Sequence, residues 1–188
     1  MTADALPVSS FAVLGLLSQA PASGYQLAQQ VEGAISNFWP MSKSNVYGEL
    51  IRLEGLGFVE ASEVSQVKLP TKRVFQLTSA GSEALDAWLR EPTFRKERRK
   101  NSLLVKMLFA DRLTPDQVAA LVEAARQEAE GERARLASIV EMLEEFPAAY
   151  WGRTTAMFGL RHAEATLAWA DEMSRQLNTK ARGQQTPA

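Results

Sequence analysis

Lys43, Ser44, Asn45 and Tyr47 place four hydrogen-bond donors within five consecutive residues. Base edges in the major groove of DNA, and the phosphates beside them, are the acceptors that suit such a cluster. Ser42 stands just ahead of it, and a serine hydroxyl can cap the free N–H groups of a helix's first turn. Val46, Leu50, Leu53 and Leu56 then recur every three or four residues, which predicts one apolar stripe along an α-helix. Gly57 ends that helix, because glycine accepts the left-handed conformation found just past helix ends. One apolar side and a donor-rich N-terminal end is the design of a helix-turn-helix recognition helix, whose first residues reach the bases. An amphipathic surface helix with a polar start would carry the same residues, so this segment alone leaves both readings open.

The elements that must position this helix lie on either side of it. Ser9 or Ser10 is expected to cap a first helix over F-A-V-L-G-L-L-S, and Pro21-Ala22-Ser23-Gly24 to break it. Ser23 and Gln26 have capping-box spacing. A second helix is predicted from Tyr25 to about Ile35, burying Leu27, Val31 and Ile35 and leaving Tyr25 at its exposed start. Phe38, Trp39 and Pro40 are expected to pin the following loop to the core. After Gly57 the period changes: residues 58–63 and 73–78 alternate and are rich in β-branched or aromatic types, which predicts two strands. Lys68, Lys72 and Arg73 sit at the tip and on the return strand of that hairpin, where they suit phosphate contact, although a solvated hairpin tip would carry the same charges. Thr78 and Ser79 then cap a fourth helix through Leu85, Trp88 and Leu89. Three helices followed by a basic two-stranded hairpin make a winged helix-turn-helix.

The chain resembles the PadR family of winged-helix transcriptional regulators. The resemblance is carried in order by F-A-V-L-G-L-L, by S-G-Y-Q-L at residues 23–27, and by F-W-P-M-S-K-S-N-V-Y at 38–47. It continues in L-I-R-L-E-G-L-G-F-V at 50–59 and V-F-Q-L-T-S-A-G at 74–81. It implies operator binding as a dimer. It also implies a DNA-facing role for Ser42, Lys43, Ser44 and Tyr47, for Tyr25, and for Lys68 and Lys72 in the wing. Two positions depart from the family pattern: Phe75 stands where tyrosine is common, and Gly48 where proline is frequent. Glycine at 48 costs the helix about 1 kcal/mol relative to alanine.

The second half is helical. Residues 93–100, T-F-R-K-E-R-R-K, are strongly basic and are expected to form a solvated hinge, with added phosphate contact as the other reading. Residues 103–109 are almost wholly apolar and predict a buried helix. Thr114-Pro115-Asp116-Gln117 is a strong helix start. That helix can run to Phe146, about 48 Å, too long to serve a compact monomer of this size. Val118, Val122, Ala125, Ala129, Leu136, Ile139 and Leu143 follow a heptad seam interrupted at Glu132. A last helix, about 154–177, presents Leu160, Ala163, Leu167, Ala170 and Leu177, with Phe158, Ala165, Trp169 and Met173 alongside. So wide an apolar face predicts an antiparallel pair from each subunit packing on its partner's, with Leu136, Ile139, Leu143, Leu160, Leu167 and Trp169 as dimerisation residues. The M-F-G-L-R-H-A-E-A-T-L-A-W stretch is similar to dimerisation domains of the same family. The expected fold class is therefore mostly α: a winged helix-turn-helix over 1–92, a helical dimerisation domain over 93–178, and a disordered tail over 179–188.

Composition narrows the function. The 188 residues include no cysteine, which excludes disulfides, cysteine-ligated zinc and thiol catalysis. No apolar run is long enough to span a bilayer, and the first residues lack the basic-then-apolar order of a secretory signal, so a cytoplasmic protein is expected. Residues 1–88 carry five basic side chains against eight acidic, a net of −3, so DNA binding requires the bases on one face and the acids turned away. His162 is the single histidine, and Glu164 lies two residues on, pointing elsewhere on a helix. It is expected to be a satisfied core or interface histidine, and no metal or other cofactor is called for. No nucleophile elbow or phosphate-cradling glycine loop occurs, so no enzyme is expected. Trp88, Tyr150, Trp151 and Trp169 could line a pocket where the two halves meet, for the small aromatic effectors that relatives take at a dimer interface; plain packing is the other reading. The functional expectation is a homodimeric, sequence-specific DNA-binding repressor. A winged helix serving only protein interaction is the alternative.

Overall fold

The computed structural model describes residues 6–36, 38–66, 69–93 and 101–183, and the chain divides into two compact units, Met1–Lys96 and Glu97–Ala188. In the first unit the order is α1 (Val8–Gln19), β1 (Ala22–Ser23), α2 (Gly24–Gln30), α3 (Lys43–Gly55), β2 (Val59–Gln66), β3 (Leu69–Leu77) and α4 (Ser79–Arg90). The three strands form one antiparallel sheet in the order β1-β3-β2. The core beneath them gathers Phe11, Val13, Leu14 and Leu17 of α1, Leu27 of α2, Val46, Leu50 and Leu53 of α3, and Val59, Phe75 and Leu85.

Local chemistry accounts for most of these boundaries. Ser23 and Gln26 form the expected capping box on α2, Ser42 caps α3 as expected and forms with Asn45 a box that was not expected, and Thr78 caps α4 by accepting from the Gly81 N–H. Gly57 takes φ 75° and turns the chain from α3 into β2. Other boundaries differ from expectation. Ser9 and Ser10 do not cap α1, which starts after Pro7; their hydroxyls donate instead to the Glu49 carboxylate, 2.7 and 2.6 Å away. A hydroxyl donating to an ionised carboxylate makes a charge-assisted bond, stronger than a neutral one, and it fixes the hydroxyl's direction. The second helix does not stay α to Ile35: after Gln30 it widens into a π turn over Val31–Ile35. Phe38 lies largely exposed and does not pin its loop, while Trp39 is half-buried. The strands of the wing are longer than the 58–63 and 73–78 expected, because antiparallel pairing runs out from Val59–Leu77 through Val64–Lys72 and, past an irregularity, to Gln66–Leu69. The short β1 was not expected at all. Ser23 is at once its last residue and the cap of α2.

The hairpin and α4 meet at a tight corner. Thr78 donates its hydroxyl to the Gly57 carbonyl at 2.8 Å, and its N–H goes to the Phe58 carbonyl. Gly81 lies against that same carbonyl, and a Cβ there would collide with the Phe58 oxygen. Farther along α4, Trp88 stacks on Phe11, rings parallel and 4.6 Å apart.

The second unit holds α5 (Ser102–Leu108), α6 (Pro115–Glu144) and α7 (Tyr150–Gly183), with single 3-10 turns at Ala110–Arg112 and Pro147–Ala149. The expected start of α6 is present: Thr114 caps, Pro115 follows, and Gln117 closes the capping box. The pairs Glu144–Arg153, Leu136–Gly159 and Arg126–Asp171 step in opposite directions along α6 and α7, so the two helices are antiparallel. Their seam is narrow. Val118, Val122, Ala125, Ala129 and Leu136 of α6 are buried, as are Ala156, Ala163 and Ala170 of α7, a heptad of alanines that lets the backbones approach. Leu136 fits against Gly159, where an added Cβ would sit 2.9 Å from its methyl. Glu132, which breaks the apolar seam, accepts from Arg135 at 2.7 Å, and that bond holds its carboxyl below the usual range.

Three expectations for this unit change. The apolar helix α5 is not buried, since Leu104, Val105 and Leu108 stand exposed (Leu108 at 76 %). His162 is exposed, so it is not a core histidine. The helix α7 begins at Tyr150 and continues to Gly183, so residues 179–183 are helical and not tail. From residue 94 to 100 the basic segment falls outside the described residues, as do residues 184–188. No helix among the described residues is long and apolar enough to cross a membrane.

Gly81→Ala should lower the unfolding free energy by about 1–3 kcal/mol, because the clash is with backbone that cannot rotate away. Urea unfolding with an unchanged slope and a lower midpoint is the expected result.

Candidate nucleic-acid interface

Helix α3 presents its inner face to the core through Val46, Glu49, Leu50 and Leu53 and its outer face to solvent. Glu49 is the unusual member. It is buried, and a buried carboxylate persists only when hydrogen-bonded. Ser9 and Ser10 supply those bonds, and the Arg52 guanidinium approaches to 3.9 Å. The helix is therefore held to α1 by polar bonds as well as by packing.

On the outer face, Lys43, Ser44 and Tyr47 are exposed, as the sequence implied. Ser42 and Asn45 are also exposed, but they serve the helix. The Ser42 hydroxyl donates to Asn45 Oδ1 at 2.6 Å and accepts from the Asn45 N–H. Their role as DNA donors is thereby reduced to the Asn45 amide nitrogen, because capping consumes the remainder. Tyr25 projects from the first turn of α2 and accepts a bond from Gln29 at 3.2 Å. The Tyr47 ring crosses directly over Gly24, where a Cβ would lie 2.5 Å from a ring carbon. Glycine at the first position of α2 is what allows this tyrosine to lie flat between the two helices.

Tyr25, Tyr47, Lys72 and Arg73, with Gln26 and Gln29, surround one open cleft of about 620 Å³ floored by Leu50 and Phe75. Three elements distant in sequence thus converge there. The two hairpin cations differ in freedom. Lys72 is half-buried and makes no ion pair among the described residues. Arg73 is committed: it donates to Glu54 of α3 at 2.5 Å and its guanidinium lies 5.2 Å from the Phe75 ring centre. Arg73, expected to contact phosphate, is thus already paired within the first unit while about half of its side chain stays exposed. Lys68 lies outside the described residues.

Of the four aromatics considered for an effector, Trp88 belongs to the first unit and Tyr150, Trp151 and Trp169 to the second. Trp88 is stacked on Phe11 in the first unit. Tyr150 and Trp151 are exposed and meet edge to face, centroids 4.9 Å apart. Trp169 is half-buried on the same continuous helix, about 27 Å further along at 1.5 Å per residue. Among the dimerisation candidates, Leu136 is already taken by Gly159 of its own chain, while Ile139, Leu143, Leu160, Leu167 and Trp169 remain half-buried. No group of acids and histidines that could hold a metal occurs among the described residues.

Sequence reasoning missed Glu49 and Glu54. The signal for Glu49 was present, because its spacing from Val46, Leu50 and Leu53 puts it on the buried stripe. Glu54 carried no such signal, since its partner Arg73 is 19 residues away across a turn.

Two family models match the chain. Residues 13–87 match the transcriptional regulator PadR-like family, and residues 99–178 match the virulence activator alpha C-terminal family. Among curated relatives, the negative transcriptional regulator PadR of Bacillus subtilis is 28 % identical over 114 residues, covering 61 % of this chain and 63 % of its own length. The probable transcriptional regulator Rv1176c of Mycobacterium tuberculosis is 27 % identical over 183 residues, covering 90 % of this chain and 97 % of its own. The fold superposes on Bacillus subtilis PadR solved in complex with operator DNA, with a TM-score of 0.84 at 22 % identity over 91 % of this chain and 99 % of that one. The same relative solved with p-coumaric acid superposes with a TM-score of 0.79 at 21 % identity, over 92 % of this chain and 99 % of that one.

A double-mutant cycle over Glu54→Gln and Arg73→Ala, measured by urea unfolding, should give a coupling of about 0.5–1 kcal/mol, the range of a half-exposed ion pair. Zero coupling would separate the wing from α3.

Proposed function

We propose that the chain, whose residues 13–87 match the PadR-like family of transcriptional regulators, binds operator DNA as a homodimer and represses transcription from it. The observation that carries this reading is the convergence of Tyr25, Tyr47 and Lys72 on one cleft, with Lys43 and Ser44 exposed at the N-terminal end of the same helix. Those residue types suit a groove edge flanked by phosphates. Two of the eight acids of residues 1–88 are withdrawn from a duplex. Glu49 is buried under two serines and Glu54 is paired with Arg73, so neither acid of α3 meets a duplex as a free charge.

The role of each part follows. Lys43, Ser44 and Tyr47, with the Asn45 amide, reach bases or the adjoining phosphates; Tyr25 and Lys72 sit over the backbone on either side. Two copies joined through the second unit set the half-sites about 34 Å apart. Ile139, Leu143, Leu160, Leu167 and Trp169 supply the dimer face, with exposed Leu104, Val105 and Leu108 of α5 beside them. That the Bacillus subtilis relative is named a negative regulator supports repression in preference to activation. Its complex with p-coumaric acid supports a small aromatic effector. Tyr150 and Trp151 are the candidates to touch one here. The chain works by binding, with no catalytic step, and a DNA target places it in the cytoplasm.

Lys43→Ala and Tyr47→Ala should each weaken binding to the operator by roughly tenfold or more, while sedimentation shows an unchanged dimer. Lys72→Ala should reduce the slope of log affinity against log salt by about 0.9 per protomer, with little change in sequence preference. Full affinity in both α3 variants would return the winged helix to a protein-interaction role.

A further inference from the structure

The residues opposite the buried stripe of α3 are Ser44, Gly48, Ile51 and Gly55, spaced i, i+4, i+7 and i+11. All four are exposed, and a Cβ built at Gly48 or Gly55 would meet nothing within 4 Å. The outermost line of the helix is therefore almost bare. One bulky side chain stands on it: Ile51, 70 % exposed, beyond every other large apolar residue described in the first unit. A single exposed aliphatic residue needs no special cause on an ordinary surface. This one occupies the centre of the face that the proposed function turns toward DNA, at the margin of the cleft shared with Tyr47 and Arg73.

We propose that Ile51 is a specificity-determining residue that recognises the 5-methyl group of a thymine in the operator. The inference rests on the DNA-binding reading given above and extends it to a base type. In the major groove the thymine methyl is the one apolar feature of a base edge, and apolar side chains are its complement. Gly48 and Gly55 leave room on both sides, so the helix axis can approach the base pairs until the isoleucine makes contact. An isoleucine cannot donate to a purine or accept from a cytosine amine, so it favours thymine by the exclusion of water alone. The donors at the N-terminal end, about 10 Å away along the axis from Ser44 to Ile51, read a different part of the half-site.

Uracil differs from thymine by that methyl alone, which provides the test. An operator duplex is first recovered from a randomised pool with the wild-type protein. Each thymine is then replaced singly by deoxyuridine, and affinity is measured by fluorescence anisotropy for wild type, Ile51→Ala and Ile51→Val. One symmetry-related pair of positions should weaken wild-type binding about fourfold per methyl, the effect of burying one such group. Ile51→Ala should bind the thymine and uracil duplexes equally at that pair, with Ile51→Val between. Gly48→Leu, tested on the same duplex, should lose affinity by holding the helix away from the bases. If no thymine-to-deoxyuridine change weakens wild-type binding, or the one that does weakens Ile51→Ala equally, the inference is overturned while DNA binding stands. Failure of the wild-type protein to enrich any duplex is a different result: it removes the DNA-binding reading and this inference with it.

Discussion

The carboxylate of Glu49 lies under the third helix with Ser9 and Ser10 closed over it, and the orientation of α3 depends on that arrangement. Moving an ionised carboxylate out of water costs several kcal/mol unless its oxygens are hydrogen-bonded. Each oxygen here accepts a short bond from a different serine, so the group is satisfied only when α3 sits in one register against the start of α1. A rotation of α3 by one residue would bury a different side chain and strand both hydroxyls. Apolar packing of Val46, Leu50 and Leu53 supplies attraction but tolerates small slips. The polar contact is directional, and it fixes which face of α3 is left to solvent.

With α3 set, the hairpin is fastened to it at two levels. Near the base, Gly57 turns the chain, Thr78 bonds back to the Gly57 carbonyl, and Gly81 lets α4 approach the Phe58 backbone. Higher up, Arg73 reaches across to Glu54 and lies over Phe75. An exposed ion pair contributes little to global stability. Its consequence is positional, because it sets the hairpin beside the helix and thereby shapes the cleft where Tyr25, Tyr47 and Lys72 meet. The charge distribution follows from the same contacts: Glu49 is hydrogen-bonded in the interior, Glu54 is paired with Arg73 at the surface, and Lys43 is left exposed.

The second unit solves a different problem. A helix of 30 residues and one of 34 pair along their length, yet the seam between them is built mainly from alanine and valine. Small residues permit close backbones but bury modest apolar area. The larger groups, Ile139, Leu143, Leu160 and Leu167, are left half-covered beside that seam. The exposed side chains of α5 add to the same incomplete burial. These half-covered and exposed apolar groups are the surface on which the proposed second copy would pack.

Much of this was determined by the sequence because it is local. Ser23 with Gln26 and Thr114 with Gln117 fall three residues apart, so those capping boxes and the starts of α2 and α6 could be named from spacing, as could Ser42 as the cap of α3; that Asn45 closes a box with Ser42 came from the structure. The apolar stripe of α3 and the heptad of α6 are likewise properties of a short window. The exposed positions of Lys43, Ser44 and Tyr47 follow from that stripe by elimination. What the tertiary structure decided was partnership between residues far apart. Ser9 and Ser10 went to Glu49 instead of capping their own helix, and Arg73 went to Glu54. The Tyr47 ring found Gly24, while Trp151 and Trp169 were carried apart by one unbroken helix. A hydroxyl or guanidinium has several chemically equivalent acceptors in a sequence, and only the folded arrangement of backbone, through distance and burial, selects among them.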